Sequence, residues 1–232
     1  MLRLLPDDFL SSDAGAAGWY GKIPAIGDFA SRRLPTEFTQ RWDGWLAHAI
    51  EASQAALGSA WLDAYLTGPL WRFALTPGII DTGFWFGVLM PSVDRVGRYF
   101  PLTIATSSPL PPNAPLAALE QWYEGACAAA LECLSAGATI ERLESALMSL
   151  GPLSFYPSDA RIAQGDGVIA RLPATQGLDH AFAHAATPLL LRELRGASFW
   201  WARFEGVAPA AVVVHRGLPD APTFVRLLDG SL

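Results

Sequence analysis

The sequence has little positive charge, and what it has is spread out. Lys22 is the single lysine among 16 basic residues, against 22 acidic residues, and the formal net charge is -6. No run of basic residues occurs anywhere in the chain. A protein that binds nucleic acid needs a basic face to replace the counterions around the phosphates. The composition therefore argues against nucleic acid as a partner.

Long apolar runs are also absent. No stretch approaches the roughly 18 residues that a membrane-spanning helix requires. The apolar start of the chain is broken at Pro6, Asp7 and Asp8, so it lacks the core of a signal peptide. We therefore expect no membrane insertion and a cytoplasmic location.

Cysteine and catalytic motifs are scarce. The two cysteines, Cys127 and Cys133, fall in one predicted helix on different faces, so we expect buried, reduced thiols rather than a disulfide. The patterns GxSxG, GxxxxGK[ST] and GxGxxG do not occur. The sequence thus offers no nucleophile elbow, P-loop or dinucleotide turn, and we expect neither enzyme activity nor a cofactor.

Two short patterns raise the alternative of a metal site. His180 and His184 are one helical turn apart and could share a metal, but the Glu of an HExxH motif and a third ligand are missing. The segment Gly165–Val168, GDGV, resembles the Asp-Gly pairs of metal-dependent phosphatases, but the other acidic ligands of such a site are not recognisable. A Gly-Asp-Gly turn explains the segment more simply, and we expect no metal.

Apolar residues at offsets of three and four predict the helices. The predicted helices cover residues 35–57, 61–65, 116–134, 140–150 and 178–194. Pro188 would break the last of these, because its ring removes a hydrogen bond and clashes with the preceding turn. A further helix is predicted after Asp220, which would cap it, with Pro222 in its first turn and Gly230 at its end.

Runs of β-branched and aromatic residues predict the strands. They cover residues 18–22, 70–75, 84–90, 102–106, 198–204 and 210–215. The run at 18–22 is expected at a sheet edge, and the three that follow it are expected to form an antiparallel meander. The order of elements predicts an α/β fold of the α+β type, with a mixed, mainly antiparallel sheet flanked by helices in a single domain over residues 1–232.

Two polar loops stand out, at Gly21–Pro35 and Pro91–Leu102. Together they carry five basic and two acidic residues, a net charge of +3 in an acidic chain. The basic residues are Lys22, Arg32, Arg33, Arg95 and Arg98, and the acidic ones are Asp28 and Asp94. We expect the two loops to meet at one end of the sheet, where they would form a basic surface for a carboxylate-rich or phosphorylated partner. The alternative is structural: the two aspartates pair with the arginines and fasten the loops to the body of the protein.

Several motifs, in order along the chain, resemble one family. They are GWYGKIPAIGDFASRRLP at Gly18, WDGWL at Trp42, GPLWRFAL at Gly68, GVLMPSVDRVGRYFPL at Gly87, SFWW at Ser198 and GLPDAPTFVRLL at Gly217. The sequence is similar in these segments to the TagF/ImpM family of proteins associated with type VI secretion.

The resemblance implies a function that the residues alone do not. Members of the TagF/ImpM family are described as cytoplasmic repressors that act after translation through the forkhead-associated scaffold protein Fha. Some members are fused to a phosphatase domain, which we do not expect here because the chain ends at Leu232. We expect the five basic residues of the two loops to bind the partner, and Asp28 and Asp94 to position them.

A second hypothesis stays open at this point. The chain could be a small-ligand sensor or an enzyme, with a pocket beneath the loops at residues 21–35 and 91–102 and with Asp28 or Asp94 as an acid–base group. A deep pocket with a desolvated carboxylate would favour this hypothesis, whereas an exposed loop surface would favour partner binding.

Overall fold

The protein is described by a computed structural model. The structure describes residues 3–4, 15–108, 116–153, 161–162, 168–169, 193–202 and 212–231. The histidines His180 and His184 lie outside these ranges. The predicted helix at 178–194 also lies outside them, apart from its last two residues.

The described strands form one eight-stranded sheet and a separate two-stranded pair. The strands are β1 (Arg3–Leu4), β2 (Gly18–Gly21), β3 (Ala30–Arg32), β4 (Trp71–Leu75), β5 (Phe84–Met90), β6 (Leu102–Ser108), β7 (Arg161–Ile162), β8 (Val168–Ile169), β9 (Ala197–Trp201) and β10 (Val212–Arg216). The large sheet has the order β1-β3-β2-β6-β5-β4-β9-β10, and β7 pairs with β8. Every neighbouring pair is antiparallel except β1 and β3. The predicted mixed, mainly antiparallel sheet and its β4-β5-β6 meander are confirmed.

One prediction about the sheet was wrong. Strand β2 is not at an edge, because it pairs with β6 on one side and with the short strand β3 on the other. Strand β3 has only three residues, and its sequence Ala-Ser-Arg carries no β-branched or aromatic signal. Its pairing with β2, rather than its own propensity, makes it a strand.

In the described ranges, five α-helices flank the sheet. They are α1 (Thr36–Leu57), α2 (Trp61–Thr67), α3 (Leu116–Glu132), α4 (Ile140–Leu150) and α5 (Ala221–Asp229). The caps predicted for α5 are confirmed: the Asp220 side chain accepts a hydrogen bond from the amide of Thr223, and Gly230 follows the helix with φ 69°. Helix α1 begins one residue later than predicted, because Pro35 is extended and precedes the first turn.

The core has two layers, one on each face of the sheet. Helices α1, α2 and α5 cover one face with a cluster that includes Trp42, Tyr65 and Phe224. Helices α3 and α4 cover the other face with a cluster that includes Trp122 and Leu147. All seven residues of β5 are buried, and they alternate between the two clusters as the period of a strand requires. The helix–sheet–helix arrangement confirms the predicted fold class.

Buried indole groups tie the helices to the sheet. The Trp42 Nε1 group on α1 donates to Thr103 Oγ1 on β6 at 2.7 Å. The Trp71 Nε1 group on β4 donates to the backbone oxygen of Leu227 on α5 at 2.8 Å. Each such bond contributes about 1 kcal/mol net, and its loss would leave a buried donor without a partner. These bonds fix α1 and α5 against the sheet.

Both cysteines are free thiols, as predicted, but only Cys127 lies on α3, because the helix ends at Glu132 and Cys133 follows it. Cys133 is buried, and burial raises the pKa of its thiol to about 11, so the group stays protonated at neutral pH. Cys127 is half-buried.

Candidate functional site

The two polar loops meet at one end of the sheet. Strands β2 and β6 are antiparallel neighbours, with Tyr20 opposite Thr103, so the loop at residues 22–29 after β2 lies beside the loop at residues 91–101 before β6. The Arg95 amide donates to the backbone oxygen of Ile26 at 3.1 Å, and Arg98 Nη2 donates to that of Gly27 at 2.6 Å. The predicted juxtaposition of the two loops is confirmed.

Gly21 makes the close approach possible. It has φ 132°, and a Cβ atom at this position would stand 2.1 Å from the backbone oxygen of Pro101. A side chain would therefore collide with the backbone of the second loop and would also strain the residue's own conformation. Glycine at position 21 is what lets the 22–29 and 91–101 loops share one end of the sheet.

Asp94 holds the 91–101 loop from inside. Its carboxylate is buried, and Oδ1 accepts hydrogen bonds from the amides of Val96 at 3.0 Å and Arg98 at 2.9 Å. Its Oδ2 accepts from Arg98 Nε at 2.7 Å and lies 3.2 Å from Lys22 Nζ. Burial alone would raise the pKa of this carboxyl group, but the bonds from Arg98, Lys22 and Val96 outweigh burial and hold the pKa well below its usual range. Asp94 is therefore an ionised anchor for this loop, and its role in positioning the basic residues for a partner stays a prediction.

Lys22 lies inside the protein. Only 4% of the residue is exposed. Its ammonium group sits between the Asp94 carboxylate and the ring of Phe29, 4.6 Å from the ring centroid. The positive charge of Lys22 is thus balanced within the site, as the structural alternative for these loops expects.

Arg32 and Arg33 face helix α4 rather than solvent. Both side chains pair with the Glu144 carboxylate, Arg32 Nε at 3.4 Å and Arg33 through Nη1. The Trp19 Nε1 group donates to the same carboxylate at 2.6 Å, and Arg33 Nε donates to the backbone oxygen of Ala17 at 3.0 Å. Their side chains are 13% and 11% exposed. These two arginines join β3 to α4.

The role of Glu144 was not predicted from the sequence, although its position on α4 indicated that it needs a partner. It lies between Leu143 and Leu147 on the buried stripe of α4, where an acidic residue needs a partner. Arg33 is 111 positions away, and neither spacing nor composition connects the two.

The tip of the 91–101 loop is the exposed part of the site. Residues 95–98 are all exposed, and the Val96 residue is 66% exposed. The Arg98 side chain is 55% exposed, although Asp94 and Gly27 hold its guanidinium on one side. Among the residues that the structure describes, no carboxylate pairs with Arg95. The tip thus presents an apolar side chain between two cations.

Asp28 belongs to the same surface. Its Oδ1 atom accepts a hydrogen bond from the Phe29 amide at 2.8 Å and lies 3.8 Å from Arg98 Nη2. The carboxylate is about half exposed, so it orients the end of the Arg98 side chain without removing it from solvent. The role of Asp28 in positioning the basic residues for a partner stays a prediction.

Two cavities flank the ring of Phe29, which lines both of them. One is a cleft of about 250 Å³ between β2 and α1, lined by Tyr20, Phe29, Thr39, Gln40 and Asp43. The other is a groove of about 470 Å³, lined by residues 25–30, Arg95 and Ile140. Asp94 lines neither cavity, whereas Asp28 lines the groove. The cleft was not predicted, because its walls come from a strand, a loop and a helix that share no local pattern.

The described ranges hold no candidate metal site and no membrane-spanning helix. They contain no cluster of three or more His, Cys, Asp or Glu side chains placed to hold a metal ion. None of the helices described there is both long and apolar enough to cross a bilayer.

Comparisons with known proteins place the chain in a family. Residues 18–150 match the model of the TagF N-terminal domain, described as type VI secretion system-associated. The chain is also similar to the crystal structure of PA0076 from Pseudomonas aeruginosa PAO1, with 40% sequence identity and a TM-score of 0.75. That match covers 93% of this chain and 94% of the other. No match was found among curated proteins.

The family match includes both polar loops, Asp94 and Glu144, since all of them lie within residues 18–150. The prediction of one family domain over residues 1–232 stays a prediction for the remainder of the chain. On the family match and the structural likeness together, this chain belongs to the TagF family of type VI secretion system-associated proteins.

Proposed function

We propose that this protein is a cytoplasmic regulator that represses type VI secretion after translation by binding the forkhead-associated scaffold protein Fha. The membership in the TagF family supports a role in type VI secretion. The repressor role, the location and the Fha partner extend the resemblance described above to this chain.

The observation that carries the proposal is the exposed loop tip at residues 95–98. Its two arginines flank Val96, which is 66% exposed, and Asp94 fixes the backbone beneath them. Interfaces are commonly dominated by a few arginine and apolar anchors in a well-ordered setting. Lys22, Arg32 and Arg33 are held inside the protein by Asp94 and Glu144, so the proposed contact rests on Arg95, Val96 and Arg98.

We further propose that the protein acts by binding and not by catalysis. The Asp94 carboxylate is engaged by four donors, and its lowered pKa leaves it no proton to donate near neutral pH. Asp28 is about half exposed and accepts the Phe29 amide. Neither carboxylate has the desolvated, unpaired environment that an acid–base group needs.

The direct test is binding of purified Fha to wild type and to Arg95→Glu. Because Arg95 has no carboxylate partner among the described residues, the change should leave the melting temperature nearly unchanged while it weakens Fha binding by about tenfold or more. Val96→Asp should act in the same direction. Arg195→Glu is the matched control, since Arg195 is exposed and lies beside Gly78 in the loop between β4 and β5, at the opposite end of the sheet from the tip.

Arg98→Glu tests a residue that has both a surface role and a structural one. This change would place a carboxylate beside Asp94, so it should lower both stability and Fha binding. If Arg95→Glu and Val96→Asp bind Fha as wild type does, the proposed contact is wrong. If they lose Fha and secretion in cells stays repressed, binding is not the means of repression.

A second candidate function is favoured by the groove beside Arg95. Its volume of about 470 Å³ falls within the roughly 300–1,000 Å³ that is typical of small-molecule sites. Arg95 at its rim suits a carboxylate-bearing ligand. A thermal-shift screen of small carboxylates tests this candidate: a hit that stabilises wild type but not Arg95→Ala supports a sensor, and the absence of such a hit leaves Fha binding as the better account.

A further inference from the structure

The cleft of about 250 Å³ beside Phe29 differs in charge from the loop tip. Its only charged wall residue among those described is Asp43, on α1. The Tyr20 hydroxyl donates to Asp43 Oδ1, and in the described part of the chain no donor reaches Asp43 Oδ2. Burial, with Asp43 adding to it, raises the pKa of Tyr20 well above its usual range, so the phenol stays neutral. The cleft therefore carries one negative charge with a free acceptor.

The remaining walls are aromatic and polar. The rings of Tyr20 and Phe29 lie nearly parallel, with an interplanar angle of 18° and centroids 6.1 Å apart. Phe100 packs edge-on against Phe29 behind them, 4.6 Å between centroids, and holds that ring in place. Gln40, exposed at the rim on α1, adds a side-chain carbonyl that can accept a hydrogen bond.

The nearby cation does not cancel this charge. Lys22 lies over Phe29, but Asp94 balances it at 3.2 Å. The cleft is therefore suited to a cation from outside, and its chemistry favours a flat one. A guanidinium stacks on aromatic rings and donates two parallel hydrogen bonds to a carboxylate, whereas an ammonium group is a compact point charge that does neither as well.

The volume of the cleft suits a single side chain better than a whole small molecule. A cavity of about 250 Å³ lies below the roughly 300–1,000 Å³ of typical small-molecule sites. One extended side chain would fill it, with its backbone left outside on the surface. The cleft and the groove share Phe29 as a wall, so a chain docked near Arg95 passes close to this opening.

We propose that the cleft formed by Tyr20, Phe29, Gln40 and Asp43 binds a single arginine side chain of the protein partner. This inference deepens the proposed function, because it takes the arginine to belong to the protein that docks on the loop tip. It adds a requirement that the tip alone does not make: the docking segment carries an arginine as well as the acidic groups that suit Arg95.

The test uses the full chain and a probe that contains no secretion protein. Uniformly ¹⁵N-labelled protein is titrated with the peptide acetyl-Gly-Arg-Gly-amide and, in parallel, with its citrulline and lysine counterparts. We expect saturable shifts of the Phe29, Gln40 and Asp43 amide signals with the arginine peptide. The uncharged citrulline peptide should bind about tenfold more weakly, since it lacks the charge that strengthens the hydrogen bonds to the carboxylate.

Two variants and a control sharpen the result. Asp43→Asn keeps the shape of the side chain and should weaken the arginine peptide by about tenfold. Gln40→Glu changes an exposed residue and adds a second negative charge at the rim, so it should tighten binding by roughly twofold to fivefold. Asp63→Asn alters an exposed carboxylate on α2 that does not line the cleft, and it should leave the affinity unchanged.

Several outcomes would overturn the inference. Equal binding of the arginine and citrulline peptides, an unaltered affinity in Asp43→Asn, or shifts that do not map to the cleft each contradict it. A lysine peptide that binds as tightly as the arginine peptide contradicts the choice of arginine. If Asp43→Asn fails to fold, the Gln40→Glu titration decides the question alone. Because Fha takes no part, a failure here and a failure of Fha binding are separate results.

Discussion

The basic residues of the two polar loops fall into two groups that differ in where their charge is balanced. Lys22, Arg32 and Arg33 point into the protein and meet Asp94 or Glu144. Arg95 and Arg98 lie at an exposed tip, and of these two only Arg98 has a carboxylate partner among the described residues. The comparison teaches that a local excess of positive charge in a sequence is not a basic surface, since distant carboxylates decide how much of the charge reaches solvent.

The largest effect should come from removing Glu144, the acidic partner of Arg32 and Arg33. Glu144→Ala leaves two nearly buried arginines and the Trp19 indole without their shared acceptor. Loss of one partner of a buried ion pair costs about 3–5 kcal/mol, and we expect a drop of that order in the free energy of unfolding, measured by urea denaturation. Glu51→Ala, at an exposed position on α1, is the control and should change stability by less than about 0.5 kcal/mol. If Glu144→Ala and Glu51→Ala were equally stable, the buried ion pairs of Arg32 and Arg33 would not differ in energy from exposed charges.

The next largest effect is expected at Asp94, which contacts both the buried Lys22 and the exposed Arg98. Asp94→Asn removes the charge that faces Lys22, so a buried ammonium group loses its counter-ion. We expect about 2–3 kcal/mol of destabilisation, because two backbone amides can still find an acceptor in the asparagine side chain. Urea denaturation measures the loss, and NMR of the 95–98 amides should show a less rigid tip, since Arg98 Nε loses its charged acceptor. A variant as stable as wild type would mean that the Lys22 charge is balanced by other groups.

A smaller, graded effect should appear with pH. The pKa of Asp94 is lowered in the folded state, so this group binds fewer protons when folded than when unfolded. Its stabilising contribution is therefore fully present above the ordinary carboxyl pKa of about 3.9 and is lost as the pH falls through the depressed folded value. The stability difference between wild type and Asp94→Asn, measured by urea denaturation, should be constant from neutral pH to about pH 5 and shrink below about pH 4. A difference that grows on acidification would contradict this assignment.

Much of the fold followed from local sequence signals. Strand β5 and helix α4 were predicted to the residue, because an unbroken apolar run and a strong helical stripe each end at clear turn residues. The caps of α5 were equally plain, since Asp220, Pro222 and Gly230 each have a local physical role. Strand β3 was not predictable, because only its pairing with β2 defines it.

The site was predicted in outline and not in detail. That the two loops meet follows from the neighbouring strands that they extend, and this was anticipated. Which charges stay exposed was not, because Lys22 is balanced by a residue 72 positions away and Arg33 by one that is 111 positions away. Asp43 gave no signal either, since its role arises only where α1 packs beside β2. Pairings across such separations are set by the assembled fold.

The buried carboxylate beneath the loop tip has a consequence for the kinetics of association. A surface segment that is already rigid loses little freedom when another molecule settles on it, and immobilising loose side chains and loops is a substantial part of the cost of complex formation. The free and bound shapes of residues 95–98 should therefore be nearly the same. A change at Asp94, which itself would touch no partner, should then slow capture and shorten the lifetime of the complex through disorder alone.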